Sequence, residues 1–219
     1  MTVVSNLELL GTRAGRRQVW RTGLDRLYSR RSAVGLARDL TVPWPTPSAK
    51  VPFEIRQLQP DDDLSLVADV PGLDPRQAQD RANQRWLLSS GLPVPWIAVD
   101  QEGSVCLITW LLTERDNEAV QAVFRRLVPT LNSDEVSIEG SFTAESHRGL
   151  GILPAAATQL VDRAKDHGAR RATTFMAEWN APSLRAGEKA GWFPYTQREE
   201  RWLLFRQRVR FLPMGADAP

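Results

Sequence analysis

Two kinds of hydrophobic pattern follow one another along the chain. Short runs in which apolar and polar residues alternate predict strands, and longer segments with apolar residues three or four positions apart predict helices. The predicted strands are 53–58, 96–100, 105–112, 136–142, 171–178, 193–197 and 200–206. The predicted helices are 75–90, 117–130, 153–167 and 182–190, with a further short helix beginning at 61–63. This mixture predicts a domain of the α/β (α+β) class.

A proline-rich stretch separates the first 50 residues from this domain. Residues 41–52 contain four prolines, which exclude a helix and favour an extended connector. We therefore place a basic, arginine-rich extension and linker at residues 1–50, the main domain at 51–212 and a C-terminal tail at 213–219.

The positive charge of the chain is concentrated in that extension. Residues 1–50 hold nine basic and three acidic side chains, a net charge of +6, so the other 169 residues carry −4. We interpret the segment Arg13–Arg38 as an amphipathic basic helix that could meet an anionic membrane or nucleic acid. In the alternative interpretation, Trp20, Leu24 and Leu27 pack on the main domain and the arginines face solvent.

Composition narrows the class of protein. With 42% hydrophobic residues and no run near the roughly 18 apolar residues of a membrane span, the sequence argues against a transmembrane protein. Cys106 is the single cysteine, so neither a disulfide framework nor a thiolate metal cluster is available, and no metal site is expected. The first residues lack the apolar core of a signal peptide, and we expect a cytoplasmic protein.

A glycine-containing turn between a strand and a helix is the first candidate for chemistry. Residues 141–153 read S-F-T-A-E-S-H-R-G-L-G-I-L. Backbone N–H groups at the start of a helix have no helical partner, the helix dipole favours an anion there, and glycines allow close approach. This geometry suits a phosphate group, although such a turn alone is weak support for function.

A second motif, N-A-P-S-L-R-A-G-E-K-A-G-W at 180–192, follows at a fixed distance. Together the two motifs resemble motifs A and B of the GNAT superfamily of N-acetyltransferases, whose patterns are Q/R-x-x-G-x-G/A and N-x-x-A/S followed by E-K-x-G-F. The resemblance covers about residues 52–206. It implies the GNAT fold, a single mixed, splayed and mostly antiparallel sheet of six to seven strands flanked by helices.

The resemblance also implies acetyl-CoA or another acyl-CoA as cosubstrate. The loop from Arg148 to Ile152 would hold the pyrophosphate, main-chain groups at Phe142 and Thr143 would meet the pantetheine arm, and Asn180 and Ser183 would lie near the acyl end. The expected cofactor-binding residues are Phe142, Thr143, Arg148, Gly149, Leu150, Gly151, Ile152, Leu153, Asn180 and Ser183.

Two positions depart from the family pattern. Leu153 stands where the loop ends in Gly or Ala, and Pro154 after it has no N–H to donate, so the phosphate contacts are expected to be fewer or displaced. Gly187 stands where the family often has a tyrosine general acid, so no catalytic tyrosine carries over. Tyr195 is an alternative acid.

The catalytic base is expected to be Glu139. An alkylamine has a pKa near 10.4 and is mostly protonated at pH 7, so a base must remove its proton before it attacks a thioester. Glu139 lies nine residues before Arg148, and Gly140 beside it is expected to mark a bulge that opens the strand. In the alternative, Glu139 points to solvent, because Val136 and Ile138 alternate with it.

The most direct functional reading is a transferase that moves an acyl group from acyl-CoA to an amine on a small molecule or peptide. A CoA-binding GNAT-fold sensor without turnover is one alternative, and an acyltransferase using a long-chain or carrier-protein-bound donor is another. Nucleic acid is not expected as a partner, whereas a homodimer, or contact of the N-terminal extension with a membrane or partner, is compatible with the sequence.

Overall fold

An eight-stranded sheet runs through the part of the protein that the computed structural model describes, residues 26–214. The strands are β1 Tyr28–Asp39, β2 Phe53–Gln57, β3 Trp96–Asp100, β4 Val105–Leu112, β5 Glu135–Thr143, β6 Arg171–Ala177, β7 Phe193–Leu203 and β8 Arg206–Pro213. The described α-helices are α1 Pro75–Leu88, α2 Asn117–Phe124, α3 Ile152–Asp166 and α4 Ala181–Lys189.

The strand order in the sheet is β2-β3-β4-β5-β6-β1-β7-β8. Every neighbouring pair is antiparallel except β5 and β6, which are parallel. The expected single mixed and mostly antiparallel sheet flanked by helices is therefore confirmed, with one strand more than the six to seven expected.

The additional strand, β1, comes from the predicted N-terminal extension. It pairs with β6 through Ala33–Asp39 and with β7 through Tyr28–Ala37. Its apolar run Ala33-Val34-Gly35-Leu36-Ala37 is typical of a strand covered on both faces, and Leu36 is 1% exposed. The helical interpretation of Arg13–Arg38 is thus wrong over this strand, and residues 13–25 lie outside the described residues.

Two apolar cores cover the two faces of the sheet. On one face, α3 packs Ile152, Leu160 and Val161 against Ile138 of β5 and Leu36 of β1. On the opposite face, a second cluster lies under α1 and α2 and joins residues from both helices to β4 and β5, namely Leu87, Trp110, Val120 and Phe142. The central strands are therefore buried from both sides.

Three local predictions differ from the structure. The helix predicted from 61–63 is a single 3₁₀ turn at Ser65–Val67, because the Asp62 carboxylate pairs with Arg56 instead of capping a helix. The helix predicted over 117–130 ends at Phe124, where Arg125 takes a φ of 54°. The two strands predicted at 193–197 and 200–206 are one continuous β7, and the turn falls at 204–205.

No helix among residues 26–214 combines the length and apolarity needed to cross a membrane.

Candidate functional site

The sheet opens between its two parallel strands. β5 and β6 pair only from Glu135 opposite Arg171 to Ser137 opposite Thr173. Both strands continue beyond this point, to Thr143 and Ala177 respectively, without further pairing between them in the described ladder. The backbone edge of β5 that faces β6 is therefore unpaired from about residue 138 onward, and Phe142 and Thr143 lie on this stretch.

A β-bulge at Gly140 marks the start of the opening. The pairing of β4 with β5 shifts between Ile108 and Trp110, so that two residues of β5 oppose one of β4, and Gly140 has a φ of 66°. A Cβ at Gly140 would lie 2.7 Å from the Trp110 ring, which requires glycine at this position. Gln84 of α1 donates to the Gly140 carbonyl at 3.0 Å and holds the bulge in place. The bulge expected beside Glu139 is present.

Glu139 points into the protein rather than to solvent. Its side chain is buried, and the residue is only 8% exposed. The Ser137 hydroxyl donates to its carboxylate at 2.9 Å, and the backbone N–H of Phe175 on β6 also donates to it. The carboxylate therefore bridges β5 and β6 just where the two strands separate.

Burial raises the pKa of Glu139 from its ordinary 4.5 to about 7. The Ser137 hydrogen bond, the charge of Arg198 and the Phe175 N–H each oppose this rise, because they favour the ionised form. The Ser137 hydroxyl also lies 3.1 Å from the Thr173 carbonyl. Since a hydroxyl has one proton, Ser137 can donate to ionised Glu139, or accept from protonated Glu139 while donating to Thr173. Both protonation states thus have a hydrogen-bonded arrangement.

Arg198 of β7 acts electrostatically on Glu139 and also lines a cavity. Its guanidinium donates to the Leu127 carbonyl at 2.6 Å and lies 4.9 Å from the centre of the Phe175 ring. Burial lowers the pKa of Arg198, while the charges of Glu139 and Glu200 oppose that effect. The side chain remains cationic because an arginine pKa stays far above neutral. Its charge favours the ionised form of the buried Glu139 carboxylate.

The cavity has a volume of about 660 Å³ and is lined by Ala33, Leu127, Ala177, Trp179, Arg198 and Glu200, among others. Trp179 is 68% exposed and stands at the rim, where the Arg76 guanidinium lies 4.2 Å from the centre of its ring. A volume of this size falls in the range of small-molecule sites. Trp110, by contrast, is 1% exposed and belongs to the core.

The glycine loop leads into α3 as its sequence indicates. Gly149 and Gly151 both have a φ of 77°, and Gly151 is the N-cap of α3, with no side chain capping the helix. The N–H groups of Ile152 and Leu153, in the first turn, have no intrahelical acceptor, and Pro154 contributes none. The loop therefore offers main-chain donors and the positive end of a helix dipole to an anion.

Arg148 stands next to these donors. Its Nε donates to the Thr143 carbonyl at 3.2 Å, and its guanidinium lies 3.6 Å from the Glu145 carboxylate. The side chain remains 47% exposed, so it can turn toward a bound phosphate. The Phe142 ring is buried 5.6 Å from the guanidinium, which leaves only the main chain of Phe142 for a cofactor.

The proline-rich connector covers one side of the loop. The Lys50 N–H donates to the Leu150 carbonyl at 2.8 Å. A Cβ at Gly151 would lie 3.1 Å from the Ser48 carbonyl oxygen, so glycine allows the connector to approach the helix start. Farther back, Trp44 packs on Gly191 and donates from Nε1 to the Lys189 carbonyl at 3.0 Å. The connector thus spans from the end of α4 to the beginning of α3.

The second motif forms α4 and its cap. The Asn180 side chain accepts a hydrogen bond from the Ser183 N–H at 3.4 Å, so these two residues start the helix together. At Gly187 a Cβ would lie 3.0 Å from Leu36 of β1. Because β1 fills that space, a tyrosine side chain would not fit where the family often has its general acid.

The surroundings of two other reactive side chains, Cys106 and His147, account for their positions. Cys106 is fully buried, and burial raises the pKa of its thiol to about 11, so it is not a thiolate nucleophile. His147 lies 3.1 Å from the Asp100 carboxylate and 2.9 Å from the Ser146 hydroxyl, on the loop before α3. Within residues 26–214, no group of three or more His, Cys, Asp or Glu side chains is arranged to hold a metal ion.

Sequence reasoning did not identify Ser137, Arg198 or the connector contacts. The position of Ser137 could have been predicted, because it lies two residues before Glu139 and therefore on the same strand face. The role of Arg198 could not have been predicted from sequence, since its effect on Glu139 depends on where β7 lies in the sheet. Tyr195, the alternative acid, lies on the same strand, and burial raises the pKa of its hydroxyl.

Comparison with known proteins concerns the family and the fold of the chain. The model of the GNAT acetyltransferase family matches residues 73–192, more than half of the chain. A search of curated protein sequences gives no match.

Solved structures with a similar fold include several acetyltransferases. A GCN5-related N-acetyltransferase from Sphaerobacter thermophilus is 16% identical with a TM-score of 0.50, covering 94% of this chain and 60% of that one. The GCN5-related glucosamine N-acetyltransferase region of a fungal multi-domain GH3 β-N-acetylglucosaminidase is 14% identical with a TM-score of 0.53, covering 86% and 22%. A tandem GNAT protein from the clavulanic acid biosynthesis pathway is 14% identical with a TM-score of 0.50, covering 91% and 59%.

This chain thus spans at most about 60% of the length of these three structures. At such identities the likeness concerns the fold, whereas the family model rests on the sequence itself. With more than half of its residues matched by that model, the chain belongs to the GNAT acetyltransferase family.

Proposed function

We propose that this protein is an N-acyltransferase that moves an acyl group, most simply acetyl, from acyl-CoA to an amine. The observation that carries the proposal is the position of Glu139, a buried carboxylate with a pKa of about 7 at the point where β5 and β6 separate. A base that changes protonation near neutral pH is suited to accept a proton from an amine and return it.

In this proposal the loop from Arg148 to Leu153 holds the pyrophosphate of the donor. The helix start supplies N–H donors and Arg148 supplies an exposed positive charge. The pantetheine arm then runs along the unpaired edge of β5 at Phe142 and Thr143, where extended amide groups can complete the backbone hydrogen bonds that β6 no longer provides. Asn180 and Ser183, at the start of α4, follow the end of β6 in the chain.

The amine acceptor occupies the cavity beside Arg198. Arg198 lines this cavity and its charge acts on Glu139, and Trp179 stands at the rim as an aromatic contact. The acceptor is a small-molecule or peptide amine. The cavity volume of about 660 Å³ limits how much of the acceptor can enter the cavity.

The reaction needs one proton to move. The neutral amine nitrogen attacks the thioester carbonyl carbon, the C–N bond forms, and the C–S bond breaks. The proton lost by the amine passes to Glu139, directly or through one water, and then to the thiolate of CoA. A thiol has a pKa near 8.5, so the leaving sulfur needs only weak acid assistance, which fits a site without a tyrosine at position 187.

The test is an acceptor screen read by release of free CoA thiol, with mass spectrometry of the acylated product. Acetyl-CoA and longer acyl-CoAs are supplied separately with a panel of mono-, di- and polyamines, amino acids and peptides. We expect amine-dependent thiol release, with loss in Glu139→Gln and no change in Glu102→Gln, an exposed turn residue. Thiol release that is equal with and without every amine would refute acyl transfer to an amine.

A further inference from the structure

The turn between β7 and β8 holds two large apolar residues in an unfavourable backbone conformation. Leu203 and Arg206 pair, so the turn consists of Leu204 and Phe205 alone. Their φ values are 48° and 63°, the positive values of a type I′ turn, which is normally built from Asn-Gly or Gly-Gly. Bulky side chains rarely adopt positive φ, because their Cβ meets the backbone.

These two side chains are also exposed. Leu204 is 68% exposed and Phe205 61%, and they adjoin the exposed Leu203, Tyr28 and Leu27. The backbone of the turn is fixed, since the Leu204 N–H donates to the Leu27 carbonyl at 3.0 Å and the Phe205 N–H to the Arg26 carbonyl at 2.8 Å. A rigid apolar tip is thus presented to solvent, at a cost both in backbone conformation and in exposed apolar surface.

Arginines surround this apolar tip on one face of the sheet. Residues directly opposite in antiparallel strands share a face, and Arg30, Arg201 and Arg208 form one row across β1, β7 and β8. The rows on either side add Arg206 and Arg210. All five are exposed, and only Glu199, which pairs with Arg30 at 2.7 Å, opposes them among the same three rows.

Three like charges in one cross-strand row repel one another, so an anionic partner would relieve that repulsion. An apolar tip ringed by cations matches the boundary of a bilayer, where apolar side chains enter the acyl region and arginines meet anionic headgroups. Contacts to a nucleic-acid backbone would use the arginines alone, whereas a bilayer takes up both the arginines and the apolar tip.

We propose that the β7–β8 turn, with its flanking arginines, docks this protein on an anionic membrane surface. The tip residues Leu204 and Phe205 enter the interface, and Arg201, Arg206, Arg208 and Arg210 contact the lipid phosphates. Arg30 also lines the 660 Å³ cavity, so docking at this turn brings the cavity close to the membrane. The proposal is independent of the acyl-transfer activity.

The experiment measures flotation of the full chain with vesicles of phosphatidylcholine alone and of an equal mixture of phosphatidylcholine and phosphatidylglycerol. The decisive variant is Leu204→Asn together with Phe205→Gly, which supplies the preferred residues of a type I′ turn. We expect it to keep or raise the thermal midpoint while binding to the anionic vesicles weakens at least about tenfold. Val70→Asn, which removes an apolar side chain that is 46% exposed elsewhere, serves as the matched control and leaves binding unchanged.

A second set replaces Arg206, Arg208 and Arg210 by Gln, one at a time. Each change is expected to weaken binding to the anionic vesicles about fivefold and to reduce its salt dependence. The proposal is overturned if the wild-type chain does not float with anionic vesicles. It is equally overturned if the Asn-Gly variant binds them as well as the wild type does, because the arginines would then serve a partner that needs no apolar tip.

Discussion

Replacing Glu139 by Gln separates the chemical role of this residue from its structural one. The amide keeps the size and a hydrogen-bond acceptor for Ser137, but it cannot take a proton. If Glu139 is the base, kcat/KM for the neutral amine falls by about 10² to 10⁴. The remaining activity should no longer depend on a group with a pKa near 7.

The pH profile of the wild-type enzyme gives the same test in another form. With a pKa of about 7, half of the Glu139 side chains are ionised at pH 7 and about 1% at pH 5. After correction for ionisation of the amine, activity should therefore fall about 50-fold between these pH values. The assay is initial thiol release at saturating donor and subsaturating amine, across pH 5 to 9. An unchanged acid limb in Glu139→Gln would refute the assignment.

The same substitution has a predictable effect on folding. The pKa of Glu139 is higher in the folded protein, about 7, than its ordinary 4.5, so ionisation is disfavoured by folding. Ionisation of Glu139 therefore lowers the free energy of unfolding: the effect is absent below pH 4.5, grows as pH rises and is complete above pH 7. The difference of about 2.5 in pKa corresponds to about 3 kcal/mol. Glu139→Gln should accordingly stabilise the protein by up to about 3 kcal/mol at pH 8 and by little at pH 4.5, as measured by denaturant unfolding. Equal stabilisation at both pH values would contradict the buried, ionisable carboxylate.

Four further substitutions test other parts of the site. Gly151→Ala and Gly149→Ala each place alanine at a φ of 77°, at a cost of about 1 kcal/mol, but only at Gly151 does the new methyl meet a backbone oxygen, 3.1 Å away. Denaturant unfolding and acetyl-CoA titration should therefore both be affected more by Gly151→Ala, and equal effects would argue against the connector contact. Ser137→Ala removes a hydrogen bond that favours the carboxylate, so the acid limb of the pH profile should move to higher pH; a move to lower pH would contradict its role. Trp179→Ala should raise KM for the amine with the donor affinity unchanged, and the reverse pattern would place the acceptor elsewhere.

Much of the fold could be predicted because local pattern and local geometry coincide. Strand alternation and helical spacing placed β3, β4, β5, α1, α3 and α4 close to their observed bounds. The glycine loop was predictable for the same reason, since a strand, a turn with two glycines and a helix follow each other within 13 residues. Gly140 indicated the bulge because glycine inside a strand is otherwise unfavourable.

What could not be predicted depends on contacts between distant segments. The arginines before Ala33 resemble a basic helix by composition, yet Val34 to Ala37 pair with β6 and β7, which are more than 130 residues away. The same strand explains Gly187, whose missing side chain is replaced by Leu36. Sequence could likewise not show that Glu139 is buried, because this follows from the way β6 and β7 close around it.

The central claim, that the loop before α3 and the opened sheet form an acyl-CoA site, is tested most directly by calorimetric titration of the chain with acetyl-CoA. One saturable site is predicted, with affinity weakened in Arg148→Ala, where a phosphate-directed charge is lost. The same titration with desulfo-CoA should retain most of the affinity, since in the proposed site the loop contacts the pyrophosphate. Absence of binding by the wild-type chain at about millimolar acetyl-CoA, a concentration that detects affinities of only about 4 kcal/mol, would contradict the account.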